Sequence, residues 1–318
     1  MTDLYGAIDL GGTNVRAIVA ALDGTISGDD RRPSRASAGL DATIETLLAS
    51  LAQACSEADV EASDLRGLGV ATPGWVDTRR GIVPAAPQLV GWRDVPLVEM
   101  LQERLGLTVL LENDANAAAL GENVFGAGRG TRHMLYITVS TGVGGGIIAD
   151  GCLYGGAKGS AGEIGHMIVD PSGPPCGCGK HGCLESLSSG TAIALRAAQA
   201  ADRGDSAALA GIKEREGRVS ARLVAEAARQ GDAVSAAIYE EAGRFLGIAL
   251  ANTVNLFSPE AIVLGGGVMQ AKDLFLPRAE ATMREFALDE PLKYMRLVEA
   301  ELGDRAGVMG MIARLGQT

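Results

Sequence analysis

The sequence predicts an α/β protein built from two related domains. Two stretches share one plan: an apolar strand, a glycine-rich turn with a hydroxyl residue, a second apolar strand and an Asp-Gly pair. They run from Tyr5 to Gly24 and from Met134 to Gly151. Helical and strand-like patterns follow each stretch, and 318 residues suit two domains of ordinary size. We therefore expect an antiparallel hairpin at the start of each domain.

Hydrophobic periodicity assigns the remaining elements. Apolar residues at helical spacing predict helices over 42–58, 95–105, 115–124, 188–200, 221–230, 233–256 and 303–315. Short apolar runs predict buried strands over 68–71, 108–111 and 261–264. The last strand ends in three glycines that could open another helix.

Composition excludes several classes of protein. A net charge of -11 argues against nonspecific nucleic-acid binding, because neutralising phosphates needs Lys and Arg. The sequence has no 18-residue uncharged apolar run that would predict a membrane span. Its first residues lack the basic-then-apolar order of a signal peptide. We expect a cytoplasmic protein, in which clustered cysteines bind metal more often than they form disulfides.

The turn after the first strand has the composition of a phosphate-binding site. Gly11 and Gly12 allow backbone N–H groups to converge on an anion. Thr13 adds a hydroxyl donor, and Asp9 could hold the hydration shell of Mg²⁺. An ordinary hairpin turn is the alternative, but the Asp before the turn and the Thr after it favour phosphate.

Two further glycine-rich turns are candidates for the same ligand. The segment 140–146 follows a strand and carries hydroxyl residues, and Gly265–Gly267 follows another strand. A structural bend explains either turn equally well when it is considered alone. The pairing of the first two turns favours one polyphosphate held from opposite sides. The run at Gly265 lacks the spaced dinucleotide fingerprint, which disfavours a nicotinamide cofactor.

Asn113 and Asp114 lie where an apolar strand meets a helix. Either residue is an ordinary N-cap, since its side chain can accept free helix N–H groups. Alternatively, a carboxylate at a strand end of an α/β protein points into a crevice and can take a proton from an alcohol. The helix N-terminus favours its ionised form. The residues alone leave both interpretations open.

Thiolate and imidazole groups are concentrated between residues 163 and 185. One histidine and three cysteines complete a set typical of a structural Zn²⁺ site: His166, Cys176, Cys178 and Cys183. The intervening loop is rich in Pro and Gly and is expected to need stabilisation by a bound ligand, which zinc would provide. Adventitious thiols are the alternative, since the spacing is unlike that of a zinc finger. His181 is the less favoured ligand.

Other isolated residues carry simpler expectations. Cys55 lies on an apolar helix face and is expected in the core, and Cys152 is expected to be packed as well. His133 is expected on the surface. Trp75 and Trp92 either wall a pocket or pack in the core or on the surface.

Together these residues resemble the ROK family of sugar kinases and sugar-responsive repressors, and within it the bacterial glucokinases. The motifs that carry the resemblance are Asp9-Leu-Gly-Gly-Thr, Glu112-Asn-Asp-Ala-Asn, Thr141-Gly-Val-Gly-Gly-Gly, Glu163-Ile-Gly-His and Cys176-Gly-Cys-Gly-Lys-His-Gly-Cys-Leu-Glu185. They extend over essentially the whole chain, and the last two are highly specific at this mutual spacing. The loop Gln88-Leu-Val-Gly-Trp92 is similar to the sugar-side loop of those enzymes.

The resemblance implies an actin-like ATPase fold, related to ribonuclease H, with two α/β domains around an interdomain cleft. The N-terminal domain would comprise residues 1–112 and a C-terminal helix within 301–318 that packs back on it. The second domain would comprise residues 113–300 and would contain the zinc loop.

The resemblance also implies a function, the ATP-dependent phosphorylation of a hexose, with glucose favoured. Asp114 would be the catalytic base, and zinc would be structural, with His166 turning its second ring nitrogen to the sugar. The residues implied to bind sugar are Gly74, Asn113, Asp114, Glu163, His166 and Glu185. Those implied to bind ATP and Mg²⁺ are Asp9, Gly11, Gly12, Thr13, Asn14, Thr141, Gly142, Gly265 and Gly266.

Several alternatives stay open within the family. Fructose, mannose or N-acetylmannosamine could be the acceptor, and polyphosphate could be the donor. A repressor would carry a helix-turn-helix before its first domain, and the phosphate motif at Asp9 leaves no room for one, so a non-enzymatic regulator is disfavoured. The family also implies a homodimer or homotetramer.

Overall fold

A computed structural model describes residues 3–317 of the chain. Residues 1, 2 and 318, which belong to the predicted N-terminal domain, lie outside the described residues. The chain forms two compact units, Met1–Tyr136 with Gly146–Gly162 and Ala300–Thr318, and Ile137–Gly145 with Glu163–Glu299. The predicted domain boundary between residues 112 and 113 stays a prediction.

The secondary structure alternates strands and helices as expected for an α/β protein. The strands are β1 (Tyr5–Leu10), β2 (Asn14–Ala20), β3 (Ile26–Pro33), β4 (Leu68–Thr72), β5 (Trp75–Asp77), β6 (Ile82–Ala85), β7 (Arg93–Val95), β8 (Val109–Asn113), β9 (Met134–Val139), β10 (Val143–Ala149), β11 (Cys152–Leu153), β12 (Ala261–Gly265) and β13 (Arg296–Glu299). The helices are α1 (Leu40–Glu57), α2 (Leu97–Leu105), α3 (Asp114–Val124), α4 (Leu184–Ser188), α5 (Gly190–Arg203), α6 (Ala207–Glu216), α7 (Ala221–Arg229), α8 (Ala233–Phe257), α9 (Lys272–Phe286), α10 (Asp289–Leu292) and α11 (Ala306–Leu315).

The first unit is built on a five-stranded sheet with the order β3-β2-β1-β4-β8. Strands β1 to β3 form an antiparallel meander, and β4 and β8 add to β1 in parallel. The register places Asp9 opposite Ala71 and Thr72 opposite Asn113. The carboxyl ends of β1, β4 and β8 consequently meet at one edge, the position at which open α/β sheets bind ligands.

Alternation along the strands divides the core of the first unit into two layers. Ile8 and Leu10 pack with α1 and α2 on one face of the sheet, whereas Ala7 packs with α11 on the other. Helices α3 and α11 cross closely on that second face. A Cβ atom at Gly310 would overlap the carbonyl oxygen of Ala117, so the crossing depends on glycine.

A second five-stranded sheet repeats the plan of the first, with the order β11-β10-β9-β12-β13. Strands β10 and β11 pair antiparallel, and β12 and β13 pair in parallel. The residues of β9 and β10 are divided between the units, and the turn that joins them belongs to the second unit. The expectation of one plan used twice is confirmed by the two strand orders.

The elements expected from periodicity are confirmed with bounds shifted by a few residues. The helix expected over 188–200 begins two residues later as α5, because the Ser189 side chain accepts the Ala192 N–H and caps the helix, and the separate short helix α4 precedes it. No bounds were predicted for helices α4, α6, α9 and α10 or for strands β3, β5, β6, β7, β11 and β13. Pro277 interrupts the pattern of α9, and β3 is mostly polar. Within residues 3–317, no helix is long and apolar enough to cross a membrane.

Candidate functional site

The β1–β2 turn leaves its central residues open to a ligand. The Gly11 N–H donates to the Asn14 carbonyl at 2.8 Å, which closes the turn, while Gly12 and Thr13 are exposed. The side chain of Gln88 lies against Gly12, and a Cβ atom built on that glycine would be 3.4 Å from the Gln88 Cβ. The turn therefore has the exposed backbone that the sequence led us to expect of a phosphate site.

Asp9 is partly buried at the carboxyl end of β1 and has a raised pKa. Burial, together with the nearby charge of Asp114, raises the pKa of Asp9 to about 7, while Arg16 opposes the rise. Helix α11 begins close by, since a Cβ atom at Gly307 would overlap the Asp9 carboxylate. A cation bound here would favour the ionised form of Asp9, so the site suits the positive charge of Mg²⁺.

Asn113 is the N-cap of α3. Its Oδ1 accepts the N–H groups of Ala115 at 3.0 Å and Asn116 at 3.2 Å. Its Nδ2 donates to the carbonyl oxygen of Gly74 at 3.1 Å. The capping interpretation is therefore confirmed for Asn113, which leaves Asp114 as the first residue of the helix.

Asp114 sits half-buried at the N-terminus of α3. Its Oδ1 accepts the Ala115 N–H at 2.8 Å. This bond and the helix dipole both favour a negative charge at this position. Gly74, which follows β4, has φ +89°, and a Cβ atom there would overlap the Ala85 carbonyl oxygen, so only glycine fits beside Asn113.

Glu112 stabilises the junction of β8 and α3, a role that the sequence analysis did not predict. The carboxylate is buried and accepts the Asn113 N–H at 3.0 Å and the Asn116 Nδ2 at 3.1 Å. Burial raises the pKa of Glu112. The spacing of Glu112 and Asn116, four residues apart at a strand-to-helix junction, is the signal that could have revealed the pair.

The β9–β10 turn in the second unit is held from two sides. The Gly190 N–H donates to the Ser140 carbonyl at 2.8 Å, and the Thr191 hydroxyl donates to the Thr141 carbonyl at 2.8 Å. On the other side, the Val143 N–H donates to Oε2 of Glu185 at 3.0 Å. The start of α5 was not among the expected site residues, because the helix was predicted to run through Ser189.

The third glycine turn lies beside the second. Gly265 ends β12, and Gly266 has φ +93°, with the space for a Cβ atom filled by the Val139 carbonyl. A Cβ atom at Gly267 would be 3.9 Å from Oγ of Ser140. The 3-10 turn Gly267–Ala271 follows and leads into α9. The structure thus brings together two of the three turns expected to bind nucleotide.

The four expected zinc ligands form one cluster in the second unit. One potential ligand atom from each of His166, Cys176, Cys178 and Cys183 lies within 4.8 Å of every other. Nδ1 of His166 is 3.7 Å from Sγ of Cys176, and the sulfur atoms of Cys178 and Cys183 are 3.6 Å apart. Ligands on a tetrahedral Zn²⁺ would be about 3.6 Å apart for N and S and about 3.8 Å for two S atoms. The cluster could therefore hold a metal ion of this kind.

The thiols of the cluster need a positive partner if they are to ionise together. Burial raises the pKa of Cys183 to about 12 and also raises that of Cys176, whereas the Lys180 N–H lowers that of the exposed Cys178. A bound cation would reverse the rises, since a coordinating thiol is deprotonated. His181 is exposed and outside the cluster.

Glu163 and His166 flank the cluster on a short 3-10 turn. Nε2 of His166 is 3.9 Å from Oε2 of Glu163, so the ring nitrogen that faces away from Cys176 lies toward a carboxylate. Gly165 between them packs against Val143, where a Cβ atom would overlap the carbonyl oxygen. The segment therefore adjoins the β9–β10 turn as well as the cluster.

The isolated residues divide into confirmed and corrected expectations. Cys55 is 3% exposed and packs in the core, and His133 is exposed, both as expected. The expectation that Cys152 is packed is wrong, because it lies exposed in the two-residue strand β11. Trp75 is 67% exposed, whereas Trp92 is buried in the core of the first unit.

The expected site residues fall into two groups, one in each unit. The first unit holds Asp9, Gly11, Gly12, Thr13, Asn14, Gly74, Asn113 and Asp114. The second unit holds Thr141, Gly142, Glu163, His166, Cys176, Cys178, Cys183, Glu185, Gly265 and Gly266. Within each group the residues come from separate segments of the chain.

Known sequences that are similar to this chain include a glucokinase and a repressor. A glucokinase from Halalkalibacterium halodurans is 39% identical over 308 residues, which cover 96% of this chain and 93% of that protein. A putative xylose repressor from Caldicellulosiruptor sp. is 33% identical over 306 residues, covering 96% of this chain and 76% of the repressor.

Solved structures show the same relationship. A ROK family glucokinase from Streptomyces griseus, in complex with glucose and AMPPNP, matches with a TM-score of 0.84 and 35% identity, covering 99% of this chain and 100% of the other. A ROK hexokinase from Thermus thermophilus matches with a TM-score of 0.81 and 34% identity, covering 99% of each chain. The expected actin-like ATPase fold of two α/β domains is confirmed by these matches.

The sequence profile of the ROK family matches residues 5–317, nearly the full length of the chain. The motifs that carried the resemblance all lie within that match. The chain belongs to the ROK family.

Proposed function

We propose that this chain is an ATP-dependent kinase of the hexokinase type that converts glucose to glucose 6-phosphate. The observation that carries the proposal is the edge of the first sheet, where the phosphate-type turn, Gly74 and Asp114 follow three neighbouring strands. The assignment to a hexokinase-type kinase rests on the glucokinase relative and on the glucokinase structure that contains glucose and AMPPNP.

Asp114 acts as the general base in this proposal. The primary alcohol of glucose attacks the γ-phosphate in line, and the bond from that phosphorus to the bridging oxygen of ADP breaks. Asp114 orients the attacking hydroxyl and takes its proton as the new P–O bond forms. The position at a helix N-terminus supports the role, because the helix dipole favours negative charge there and the half-buried carboxylate can reach a ligand.

The glycine-rich turns bind the phosphates of ATP. Backbone N–H groups near Gly12 and Thr13, and near Thr141 and Gly142, offset negative charge on the phosphate oxygens. Asp9 would hold the Mg²⁺ that accompanies ATP, and the ion would supply positive charge to the phosphate oxygens. Positioning dominates this chemistry, because the transition state of phosphoryl transfer is loose.

The cluster of His166, Cys176, Cys178 and Cys183 would hold one structural Zn²⁺. The ligand types and spacings support zinc, and four protein ligands leave no open position for an activated water. The ion when bound supplies no chemistry to the transfer. It fixes the loop that carries His166 and the start of α4, which follows directly after Cys183.

Glu163, His166 and Glu185 bind the hydroxyls of the sugar, together with Asn113 and Gly74. Carboxylates suit this task because each can accept two hydroxyl groups. A sugar lacking one hydroxyl would leave a buried acceptor unpaired, at a cost of about 1–3 kcal/mol. Discrimination between hexoses would then reach roughly 5- to 150-fold for each altered hydroxyl.

A coupled assay over a panel of hexoses tests the proposal. Glucose, mannose, fructose and N-acetylmannosamine are each offered with ATP and with polyphosphate as donor, and kcat/KM is compared. We expect the highest value for glucose with ATP. A higher value for another hexose, or for polyphosphate, would replace that part of the proposal, and no turnover with any pair would overturn it.

A sugar-responsive regulator is the second candidate, favoured by the similarity to the xylose repressor. A regulator would bind sugar without needing Asp114 or the phosphate turns, so sugar binding without turnover is the result that identifies it. We also propose a homodimer or homotetramer, to be measured by light scattering on the purified protein.

A further inference from the structure

The β9–β10 turn is connected to a residue proposed to bind sugar. Two of its contacts come from the start of α5, where Gly190 and Thr191 donate to carbonyl groups of the turn. The third is different in kind, since the Val143 N–H donates to a carboxylate oxygen of Glu185, 42 residues away in sequence. One side chain therefore spans a segment proposed to bind phosphate and the proposed sugar site.

The fit between Glu185 and the turn is close. A Cβ atom at Gly142 would overlap Oε2 of Glu185, so the carboxylate lies directly against the backbone. Gly142 does not have a positive φ, so the absence of a side chain is needed for space rather than for backbone conformation. A change at either residue should therefore disturb the same contact.

The chemistry of a carboxylate allows Glu185 to serve both ligands at once. Two oxygen atoms with about four lone-pair sites can accept the Val143 N–H and a sugar hydroxyl together. Hydrogen bonds to an ionised group are roughly twice as strong as neutral ones, so the contact holds the turn firmly. A hydroxyl on the same carboxylate would restrict its rotamer and, through it, the orientation of Val143.

We infer that Glu185 is a positioning residue that couples hexose binding to nucleotide binding through the Val143 N–H. This inference rests on the proposed function. When the hexose orders Glu185, the turn at Thr141 and Gly142 is ordered before the nucleotide arrives, which reduces the entropy that nucleotide binding must overcome. By linkage, the nucleotide tightens hexose binding by the same factor.

Isothermal titration calorimetry measures the coupling directly. The Kd of AMPPNP with Mg²⁺ is determined without glucose and at saturating glucose, and the ratio of the two is the coupling factor. We expect a factor of about 5–20 for the wild type, in the usual range for linked sites. Glu185→Gln should lower it to about 2 or less, because the amide loses the charge and can turn its NH₂ group toward Val143.

Two further variants separate coupling from a general loss of structure. Gly142→Ala pushes the carboxylate away from the turn side and should also abolish coupling while glucose still binds. Glu163→Gln changes another proposed sugar carboxylate of the second unit, which lies toward His166. It should weaken glucose binding and leave the coupling factor at the wild-type value. Thermal denaturation of each variant checks that it is folded.

The outcomes distinguish this inference from the function on which it rests. A wild type that does not bind glucose contradicts the proposed function and the inference with it. A wild type that binds glucose and AMPPNP independently overturns the inference alone. The same holds if Glu185→Gln and Gly142→Ala retain the wild-type coupling factor, or if Glu163→Gln loses it.

Discussion

Asn113 donates a hydrogen bond through Nδ2 to the carbonyl oxygen of Gly74 at 3.1 Å, while its Oδ1 caps helix α3. The bond joins the ends of two neighbouring parallel strands, β4 and β8. It fixes the first turn of the helix on which Asp114 sits. The Asn113 side chain thus connects the backbone after β4 to the first turn of the helix that carries the proposed catalytic base.

Two substitutions at Asn113 separate its two roles. Asn113→Ser keeps a good cap and loses only the bond to Gly74, so we expect a loss of about 0.5–1.5 kcal/mol of stability. Asn113→Ala loses the cap as well and should cost about 1 kcal/mol more. Denaturant unfolding measures the free energies. Equal stability of the two variants would show that the cap contributes nothing.

The same pair should also differ in turnover, in the same order as in stability. Because Asn113→Ser retains the cap, the direction of α3 and the position of Asp114 should be largely preserved. We expect kcat to fall more in Asn113→Ala than in Asn113→Ser. Steady-state kinetics at saturating ATP and glucose provide the measurement, and the opposite order would contradict the positioning role.

The raised pKa of Asp9 predicts a pH-dependent stability. A carboxyl whose folded pKa is about 7 stabilises the fold fully below the unfolded value of 3.8, and that stabilisation is lost as pH rises through 7. Asp9→Asn is neutral at every pH and should escape the loss. As pH rises from 5 to 8 in the absence of Mg²⁺ and nucleotide, we expect the free energy of unfolding of the variant to increase by about 1–3 kcal/mol relative to that of wild type.

Urea unfolding of wild type and Asp9→Asn at pH 5 and pH 8 measures this gain in the free energy of unfolding. Other titrating groups contribute equally to both proteins, so they cancel when the two pH-dependent changes are compared. A relative loss of stability by the variant from pH 5 to pH 8 would contradict the raised pKa of Asp9. The variant should also bind Mg²⁺-AMPPNP more weakly than wild type, because the carboxylate proposed to hold the hydration shell of the ion is gone.

The Cys/His cluster predicts about one zinc ion per purified chain, to be measured by atomic emission. Cys183→Ser should lose the metal and lower Tm by several degrees, because the loop would lose the ligand that stabilises it. Cys152→Ser is the matched control, since Cys152 is exposed and lies outside the cluster. A metal-free wild type with unchanged Tm and turnover would refute the zinc site.

Features that depend on neighbouring residues could be predicted from the sequence. The glycine pair before Thr13, the strand-to-helix junction at Asp114 and the closely spaced cysteines each carry their own chemistry within a short segment. The two hairpins were predicted because strand, turn and strand follow one another along the chain. Resemblance to the family then supplied the fold and the roles of the site residues.

Features that depend on distant residues could not be predicted in this way. The contact of Glu185 with Val143 joins residues 42 positions apart, and that of Asn113 with Gly74 joins residues 39 apart. Only the folded sheet brings them together. Strand β3 is mostly polar and owes its conformation to pairing with β2. Cys152 was wrongly expected to be packed, because a two-residue strand has no pattern to show its exposure.

The role of Asp114 as general base is the centre of the proposed mechanism, and Asp114→Asn tests it. The amide keeps the size and an acceptor but cannot take a proton at neutral pH. Asp289→Asn is the matched control, because Asp289 is an exposed carboxylate that also begins a helix.

Rapid-quench measurement of a single turnover, with glucose and ATP saturating, is the decisive experiment. The proposed mechanism predicts that Asp114→Asn slows the transfer by about 10²–10⁴-fold, while calorimetry finds glucose bound within about tenfold of the wild-type Kd. The control variant should transfer phosphate at the wild-type rate. A transfer rate of Asp114→Asn close to that of wild type would contradict the general-base assignment.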